Sequence, residues 1–373
     1  MLTLLIPPDS AEPHGLARGE RYVLDDLAAG DYLLKGWGRI SGPNALLPAG
    51  EWTQVGAPNR NRVILRSGGF GDLICLRPIL EALWRTREEE CLSHLAVCCH
   101  PAHAPALDGL DFLEVIPYPP KVADLQPFHW RLSLENVIED STDGRQDTVA
   151  LLSRTIWPGV KDFTGPEWVP SLTIPPGELA EAWQAFPATG RRRLGLALHS
   201  SAHCRNWPLE RVAELIHGLG TDIEVFLFGK PGPWPEIDLG PDVTHIHVLP
   251  QLNCPLRESL ALLATMDVFV GPDSGLVHAA GALRVPTVAL FGPFEAGQRV
   301  TRYPTVRSIQ GRAPSAPCPH HPRTLEQRWP AGKPCQQMQH CVALAGITGA
   351  QVLKRVREIL DAKHLAAEPD LSE

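Results

Sequence analysis

The chain has 373 residues, of which 44% are hydrophobic and 20% charged, and its net charge is −8. At roughly 150 residues per domain, this length predicts two domains or one large one, with enough core to fold without disulfides or metal. The acidic balance argues against nucleic-acid binding, which needs a basic surplus. No apolar run reaches the ~18 residues of a membrane span, and the opening MLTLLIPPDSAEP does not predict a signal peptide.

In chain order, residues 1–58 contain short apolar runs broken by Gly and Pro. They predict a few strands in an N-terminal extension of unknown role. The pattern then changes: RVILRS predicts a buried strand, GGFGD a tight loop, and the following residues a helix in which Pro78 takes a first-turn position. Further strands are expected at 95–100 and 112–118, and loops with short helices at 119–175.

A second run of alternating strands and helices begins at Arg191. Continuous apolar strands that alternate with helices are typical of a parallel sheet covered on both faces. The two runs therefore predict an α/β protein with Rossmann-like domains at 59–175 and 190–348, followed by a helix and tail at 349–373. Ligands of such sheets bind outside the carboxyl ends of the strands, so we expect the site to collect strand-to-helix loops across a cleft.

The first loop that could carry binding or catalytic residues is SGGFGD, which follows the predicted strand RVILRS. Its glycines, Gly69 and Gly71 among them, allow the backbone to approach a ligand closely, and Asp72 opens a helix. A helix-capping aspartate explains Asp72 equally well. The loop has neither the GxGxxG pattern nor a Walker lysine, so neither nucleotide motif is predicted here.

The second loop is HSSAHCRNWP, between a predicted strand and a helix. It combines the hydroxyls of Ser200 and Ser201 with the guanidinium of Arg205. Such donors near a helix N-terminus suit a diphosphate. An ordinary polar loop with a surface arginine is the alternative interpretation.

The third loop is GPDSGLVH, at the end of the predicted strand DVFVG. Asp273 or Ser274 can cap the helix that Gly275 begins, and His278 lies one turn inside it. A carboxylate beside a helix N-terminus can accept hydrogen bonds from sugar hydroxyls, while the helix end holds an anion. Capping alone does not explain the whole set.

Together these motifs resemble glycosyltransferase family 9, which contains the lipopolysaccharide heptosyltransferases. The resemblance rests on RVILRSGGFGDLICLRPILEAL, LGLALHSSAHCRNWPLERVAELI and GPDSGLVHAAGALRVPTVALFGP, in this order. It covers residues 62–100 and 190–360. Family members commonly carry Lys where this chain has Arg205, and since the two cations differ in geometry, the particular donor stays open.

The resemblance implies the GT-B fold, in which two Rossmann-like domains face each other across a cleft, and an inverting, metal-independent sugar transfer. The implied donor is a nucleotide sugar, with ADP-heptose expected, and the acceptor is a hydroxyl of a glycan or protein. Asp72 is implied to be the general base, with Gly69 and Gly71 in the acceptor-side loop of the N-terminal domain. The implied donor-binding residues are Ser200, Ser201, Arg205, Asp273, Ser274, Gly275 and His278. The expected location is the cytoplasm, with at most peripheral contact with the inner membrane, and no nucleic-acid partner.

Three of the nine cysteines lie in one proline-rich segment that also contains histidines. Cys318, His320, Cys335 and Cys341 have the composition of a structural zinc or iron site, although no CxxC pair is present. Family members that resemble protein-modifying heptosyltransferases are associated with iron in a cysteine finger. Free cysteines in a loop, or a disulfide between Cys335 and Cys341, are the alternatives. No cofactor is expected for catalysis.

Two rival functions fit the same predicted fold. A GT-B-shaped nucleotide-sugar epimerase would place a pair of acidic residues around the nucleotide sugar and would convert the donor without any acceptor. A non-catalytic nucleotide-sugar binding module would have no reason to keep a base at Asp72. The sequence therefore favours transfer, with these two as alternatives.

Overall fold

The computed structural model of this chain describes residues 1–6, 16–25, 28–29, 32–33, 35, 39–40, 50–54, 60–138, 147–160, 162–200, 203–229, 245–249, 254–313 and 341–367. The chain divides into two compact units. The first comprises Met1–Ser141 and Thr148–Trp168, and the second comprises Thr142–Asp147 and Val169–Glu373.

The first unit begins with a small antiparallel sheet. Its strands are β1 (Leu2–Leu5), β2 (Arg21–Leu24) and β3 (Arg39–Ile40), in the order β2-β1-β3. Leu4 and Leu24 belong to its own small apolar cluster. The Tyr118 hydroxyl donates to Asp25 Oδ2 at 2.6 Å, which fastens the small sheet to the rest of the unit. The strands predicted in the N-terminal extension are thus confirmed.

A five-stranded sheet forms the centre of the first unit. Its elements are β4 (Trp52–Gln54), β5 (Asn61–Leu65), α1 (Phe70–Arg85), β6 (His94–Cys99), β7 (Leu113–Pro117), β8 (Trp130–Ser133) and α2 (Thr148–Ile156). The strand order is β4-β8-β5-β6-β7; β4 pairs antiparallel with β8, and the other pairings are parallel. Numbered from β5, the parallel strands follow the order 3-2-1-4 of a Rossmann half. β8 lies where the sequence predicted only loops and short helices.

Helix α1 differs from its prediction at Pro78. The helix has Gly69 as its N-cap residue, and Pro78 lies in its interior instead of its first turn. A proline there costs about 3 kcal/mol through the missing hydrogen bond and the crowding of its ring. The helix tolerates this cost because its apolar side chains, including Leu73, Leu76 and Leu80, are fully buried. Each contributes about 1.5–3 kcal/mol.

The second unit contains a six-stranded sheet in which every pairing is parallel. Its strands are β9 (Arg192–Ala197), β10 (Ile223–Phe228), β11 (Ile246–Val248), β12 (Val268–Pro272), β13 (Thr287–Phe291) and β14 (Val306–Gln310). Its helices are α3 (Pro176–Ala185), α4 (Leu209–Gly218), α5 (Leu256–Leu263), α6 (Gly275–Ala282), α7 (Ala296–Arg299), α8 (Val342–Ala345) and α9 (Gly349–Ala367). The strand order β11-β10-β9-β12-β13-β14 is the Rossmann order 3-2-1-4-5-6. The predicted α/β class with two Rossmann-like units is confirmed.

Each large sheet has one point at which the strand order reverses. In the first unit it lies between β5 and β8, and in the second between β9 and β12. Such a switch point leaves a crevice at the carboxyl ends of the strands, where ligands of open α/β sheets bind. The loops after these four strands are therefore the places to look for function.

The longest helix, α9, has 19 residues and carries Lys354, Arg355 and Arg357. Among the residues that the structure describes, no helix combines the length and the apolar character needed to cross a membrane.

Candidate functional site

Asp72 lies at the switch point of the first unit, in the first turn of α1. Its Oδ2 accepts a hydrogen bond from the Gly69 N–H at 3.0 Å and another from Arg66 Nη2 at 2.9 Å. The predicted alternative of a capping aspartate is thus partly correct, although Gly69 is the N-cap residue and Asp72 reaches back to it. The side chain is 21% exposed. Asp72 is therefore an ion-paired carboxylate that solvent can reach.

Arg66, which directly follows β5, is the charged partner of Asp72. Its side chain is only 1% exposed. Nη1 donates to the carbonyl oxygen of Leu134 at 2.9 Å, and the backbone N–H donates to Cys98 O at 2.9 Å. The guanidinium thus links the loop after β5 to the segment after β8 and holds the carboxylate on the first of these.

A second carboxylate, Glu135, follows β8 and is 4% exposed. It accepts hydrogen bonds from both the N–H and the hydroxyl of Ser67, the latter at 2.9 Å. Burial raises the pKa of Glu135 above its ordinary value, and the nearby Arg66 and the Ser67 donors oppose that rise. Two carboxylates and one guanidinium therefore meet at this switch point.

A histidine from the loop after β6 contacts the same glycine-rich loop. His103 Nδ1 lies 3.0 Å from Gly68 O, and since the carbonyl can only accept, Nδ1 carries the proton. Its 3-10 segment is held to α1 by Arg77, which donates to Ala106 O and Asp108 O at 2.9 Å each. The glycine-rich loop that precedes Asp72 is thus held by the segments that follow β6 and β8.

In the second unit, Arg205 and Asp273 form an ion pair across the switch point, after β9 and β12. Arg205 Nη1 lies 3.3 Å from Asp273 Oδ2, and their side chains are 14% and 4% exposed. Burial by itself would raise the pKa of Asp273, but Arg205, Arg299 and His278 together hold the pKa below its ordinary value. Asp273 is therefore ionised in the folded protein.

Arg299, in α7, is a second buried guanidinium near Asp273, with 8% exposure. Its Cζ lies 4.6 Å from the ring centroid of Phe294, and that of Arg205 lies 6.0 Å from the same ring. Two arginines thus lie near one carboxylate, with Arg205 in contact and Arg299 acting at longer range, so positive charge exceeds negative charge around Asp273. Arg299 Nε and Ser274 Oγ are buried without a hydrogen-bond partner in the described part of the chain. Such an arrangement suits an anionic ligand.

The N-terminus of α6 lies at the same place. Ser274 is its N-cap residue in extended conformation, and Gly275 is its first residue. His278, 6% exposed, has Nδ1 at 3.0 Å from the Tyr303 hydroxyl. The helix end adds the positive end of its dipole to the two guanidiniums.

The loop after β9 is closed by a side chain. The Ser200 N–H donates to Asn206 Oδ1 at 2.8 Å, and Trp207 Nε1 donates to Ile347 O at 3.0 Å. Ser201 lies outside the described residues. Of the predicted donor-binding residues, Arg205 and His278 lie close enough to Asp273 to lower its pKa.

Most of the cysteine cluster, namely Cys318, His320 and Cys335, lies outside the described residues. Cys341 is described, and its N–H donates to the carbonyl oxygen of Cys204 at 3.3 Å. Within the described ranges, no group of three or more His, Cys, Asp or Glu side chains could hold a metal ion. Cys204, which directly precedes Arg205, was not part of the predicted cluster.

Sequence reasoning missed Arg66, Glu135 and Arg299. Arg66 ends an apolar strand, where a charged residue usually marks only the passage into solvent. Arg299 belongs to no motif of the family resemblance. The position of Arg66 next to the glycine-rich loop was a usable sequence signal. Its contact with Leu134 could not be foreseen, because Leu134 is 68 positions away.

Known protein structures support the fold. Among solved structures, E. coli ADP-heptose LPS heptosyltransferase II is similar with 17% identity and a TM-score of 0.50, covering 82% of this chain and 99% of that one. A glycosyl transferase family 9 protein from Veillonella parvula matches with 14% identity and a TM-score of 0.57, covering 86% and 100%. The iron-containing dodecameric glycosyltransferase TibC from enterotoxigenic E. coli matches with 17% identity and a TM-score of 0.57, covering 82% and 77%. No curated protein sequence gives a significant match.

The sequence model of glycosyltransferase family 9 (heptosyltransferase) matches residues 135–327, which is just over half of the chain. The matched range includes the Arg205–Asp273 site and Arg299, while Asp72 lies before it. With the Rossmann-like units already established, the chain belongs to glycosyltransferase family 9, the heptosyltransferase family, and is a glycosyltransferase.

Proposed function

We propose that this glycosyltransferase is inverting and moves heptose from ADP-heptose to a hydroxyl of a glycan or protein acceptor. The observation that carries the proposal is Asp72, a solvent-accessible carboxylate at the switch point of the first unit that forms an ion pair with Arg66. An inverting transfer is a single displacement and needs one base on the acceptor side. Asp72 meets that requirement.

On the acceptor side, Asp72 takes the proton of the acceptor hydroxyl as its oxygen forms the bond to the anomeric carbon. A well-placed general base contributes about 10²–10⁴-fold to the rate. Gly69 is exposed in the same turn and can face an acceptor next to the carboxylate, whereas Gly71 is buried in α1. The proton then passes from Asp72 to solvent, and the ion pair with Arg66 is restored.

On the donor side, the bond from the anomeric carbon to the diphosphate oxygen breaks, and the electron pair leaves with the nucleoside diphosphate. Arg205, Arg299 and the N-terminus of α6 supply positive charge for the leaving group, with Ser200 and Ser201 as further donors. The buried, unpartnered Ser274 Oγ fits a hydrogen bond to the same ligand. Asp273, held ionised, accepts hydrogen bonds from sugar hydroxyls.

ADP-heptose is the proposed donor because proteins of similar structure use or bind it. E. coli heptosyltransferase II is described as an ADP-heptose enzyme, and TibC has been solved in complex with ADP-D-beta-D-heptose. At 14–17% identity these structures support the fold. The two guanidiniums near Asp273, those of Arg205 and Arg299, support the diphosphate part of the donor.

Incubation of the enzyme with labelled ADP-heptose, together with either a cell-envelope glycan fraction or a protein fraction, tests the proposal. We expect label to enter one of the two fractions with an inverted anomeric configuration, as read by NMR of the released sugar. Conversion of the donor in the absence of any acceptor would support an epimerase instead. A product with retained configuration would contradict the single displacement.

We also propose that the cysteine cluster holds a structural zinc or iron. Its described member, Cys341, contacts the backbone of Cys204 beside the donor loop, and TibC is an iron-containing relative in fold. Metal content of protein purified without chelators should fall in Cys341→Ser but not in Cys91→Ser, an exposed cysteine of the first unit. Equal metal content in both variants, or none in the wild type, would contradict the proposal.

A further inference from the structure

The ion pair of Asp72 has a feature that capping does not explain: its cationic partner is more buried than the carboxylate. The Arg66 side chain is 1% exposed, against 21% for Asp72. Burying a guanidinium is costly unless several acceptors compensate it. A helix cap needs no such group, because the Gly69 N–H already satisfies the Asp72 oxygen.

Arg66 is fixed on both sides. Its backbone continues the pairing of β5, since its N–H donates to Cys98 O and the Leu134 N–H donates to Leu65 O, both at 2.9 Å. Its guanidinium then spans from Leu134 O to Asp72 Oδ2. The planar guanidinium, whose N–H groups point in fixed directions, therefore fixes the position of the Asp72 carboxylate relative to the sheet.

The backbone at Gly68 lies too close to the Arg66–Asp72 pair for a side chain to fit. A Cβ on Gly68 would lie 2.5 Å from Arg66 Nε and 2.7 Å from Asp72 Oδ2. The chain thus passes directly against the pair, and the Gly68 carbonyl oxygen is bonded to His103.

From these contacts we propose that Arg66 is a positioning residue of the transfer reaction, which fixes the direction of the Asp72 carboxylate and keeps it charged between turnovers. The inference rests on the proposed role of Asp72 as the base. Besides the pair itself, the titratable groups that face it are Glu135 after β8 and His103 after β6. Arg66 is the cation that touches Asp72.

The test is the pH profile of kcat/KM for the acceptor in Arg66→Met and Arg66→Lys. In Arg66→Met we expect the acid limb to move up by about one pH unit or more, since an opposite charge in contact shifts a carboxyl by this order. The rate at the plateau should fall by about 10²-fold, as expected for a misplaced group. Arg66→Lys should keep the acid limb near its wild-type position and recover part of the rate, because the charge remains while the fork geometry is lost.

A matched control is Arg77→Met, which removes another buried arginine of the same unit, one that donates to the carbonyl oxygens of Ala106 and Asp108. It should lower thermal stability and leave the acid limb in place. If Arg66→Met does not fold, Arg66→Met/Glu135→Gln replaces it, because that pair removes one buried charge of each sign and still strips Asp72 of its cation. The affinity for ADP reports on the fold of the second unit in every variant.

An acid limb that stays in place in Arg66→Met, or one that moves equally in Arg77→Met, overturns the inference. Asp72→Asn separates this failure from failure of the proposed function. If Asp72→Asn is inactive while the limb of Arg66→Met is unmoved, Asp72 is the base and Arg66 does not position it. If Asp72→Asn turns over normally, the proposed base itself is wrong.

Discussion

At Gly68 the backbone runs so close to the Arg66–Asp72 pair that only a hydrogen atom fits on its outer side. A Cβ there would come within 2.7 Å of Asp72 Oδ2, and real side chains do not approach so closely. The neighbouring Gly69 is different, because a Cβ would lie 3.8 Å from the same oxygen, an ordinary contact. Of the two adjacent glycines, only Gly68 is too close to the ion pair to accept a Cβ without displacing it.

Gly68→Ala should lower turnover by about 10²-fold, because displacement of a reacting group by about 1 Å has an effect of this order. Gly159→Ala serves as the matched control in the same unit and should stay near the wild-type rate, because no atom lies within 4 Å of the added Cβ. Steady-state transfer rates measured at saturating donor distinguish the two. Similar losses in both variants would contradict the argument from the Gly68 contact.

Glu135 should make the first unit less stable as pH rises. Burial raises its pKa, so the folded chain binds a proton more tightly than the unfolded chain, whose Glu pKa is about 4.3. Its stabilising contribution is therefore full below that value and is lost as pH climbs through the raised pKa.

Urea unfolding at pH 5 to 8 measures this dependence. In Glu135→Gln, which keeps an oxygen for the Ser67 donors, the decline of the unfolding free energy with pH should be smaller than in the wild type. Glu89→Gln, at an exposed site in the same unit, should follow the wild-type curve. A Glu135→Gln curve parallel to the wild type would contradict the effect of burial.

Among the elements, α6 depends on close contact with Tyr303. A Cβ on Gly281 would lie 2.6–2.9 Å from three atoms of Tyr303, and the hydroxyl of that tyrosine is 3.0 Å from His278 Nδ1. The absence of a side chain at residue 281 thus lets the tyrosine reach the histidine beneath the donor site.

Gly281→Ala should destabilise the protein by about 1–3 kcal/mol, the usual cost of overpacking, and should weaken ADP binding because His278 loses its partner. Gly297→Ala in α7 is the control: no atom lies within 4 Å of the added Cβ, and alanine is favoured over glycine in helices. Thermal melts with and without ADP report both effects. Equal melting points in the two variants would contradict the packing argument.

Elements with strong local patterns could be predicted from the sequence, whereas those that depend on distant partners could not. The second-unit strands and α4 follow apolar runs and helical spacing, and the structure has them there. β8 was missed because its four residues carry little pattern and pair with β4 and β5 far away in the chain. Pro78 was misplaced since packing of α1 outweighs the local preference of proline.

At the scale of the whole molecule, the two units share one type of arginine contact. In each, an arginine after the first parallel strand reaches the segment after the fourth: Arg66 contacts Leu134 O, and Arg205 contacts Asp273. Asp72, Arg205 and Asp273 could be found because strand-end loops with Gly, Asp and Arg leave a motif. Arg299 could not, because only the folded chain brings it near Asp273. The contact of Arg66 with Leu134 O could not either, because it joins positions 68 apart.

In this account the switch point of the first unit supplies the base, and the switch point of the second unit supplies the cations that bind the donor. Isothermal titration with ADP-heptose combined with transfer kinetics on Asp72→Asn and Arg205→Ala tests this assignment most directly. Asp72→Asn should bind the donor with wild-type affinity and lose about 10²–10⁴-fold in turnover, while Arg205→Ala should weaken both donor binding and turnover. Normal turnover of Asp72→Asn at unchanged donor affinity would contradict the account.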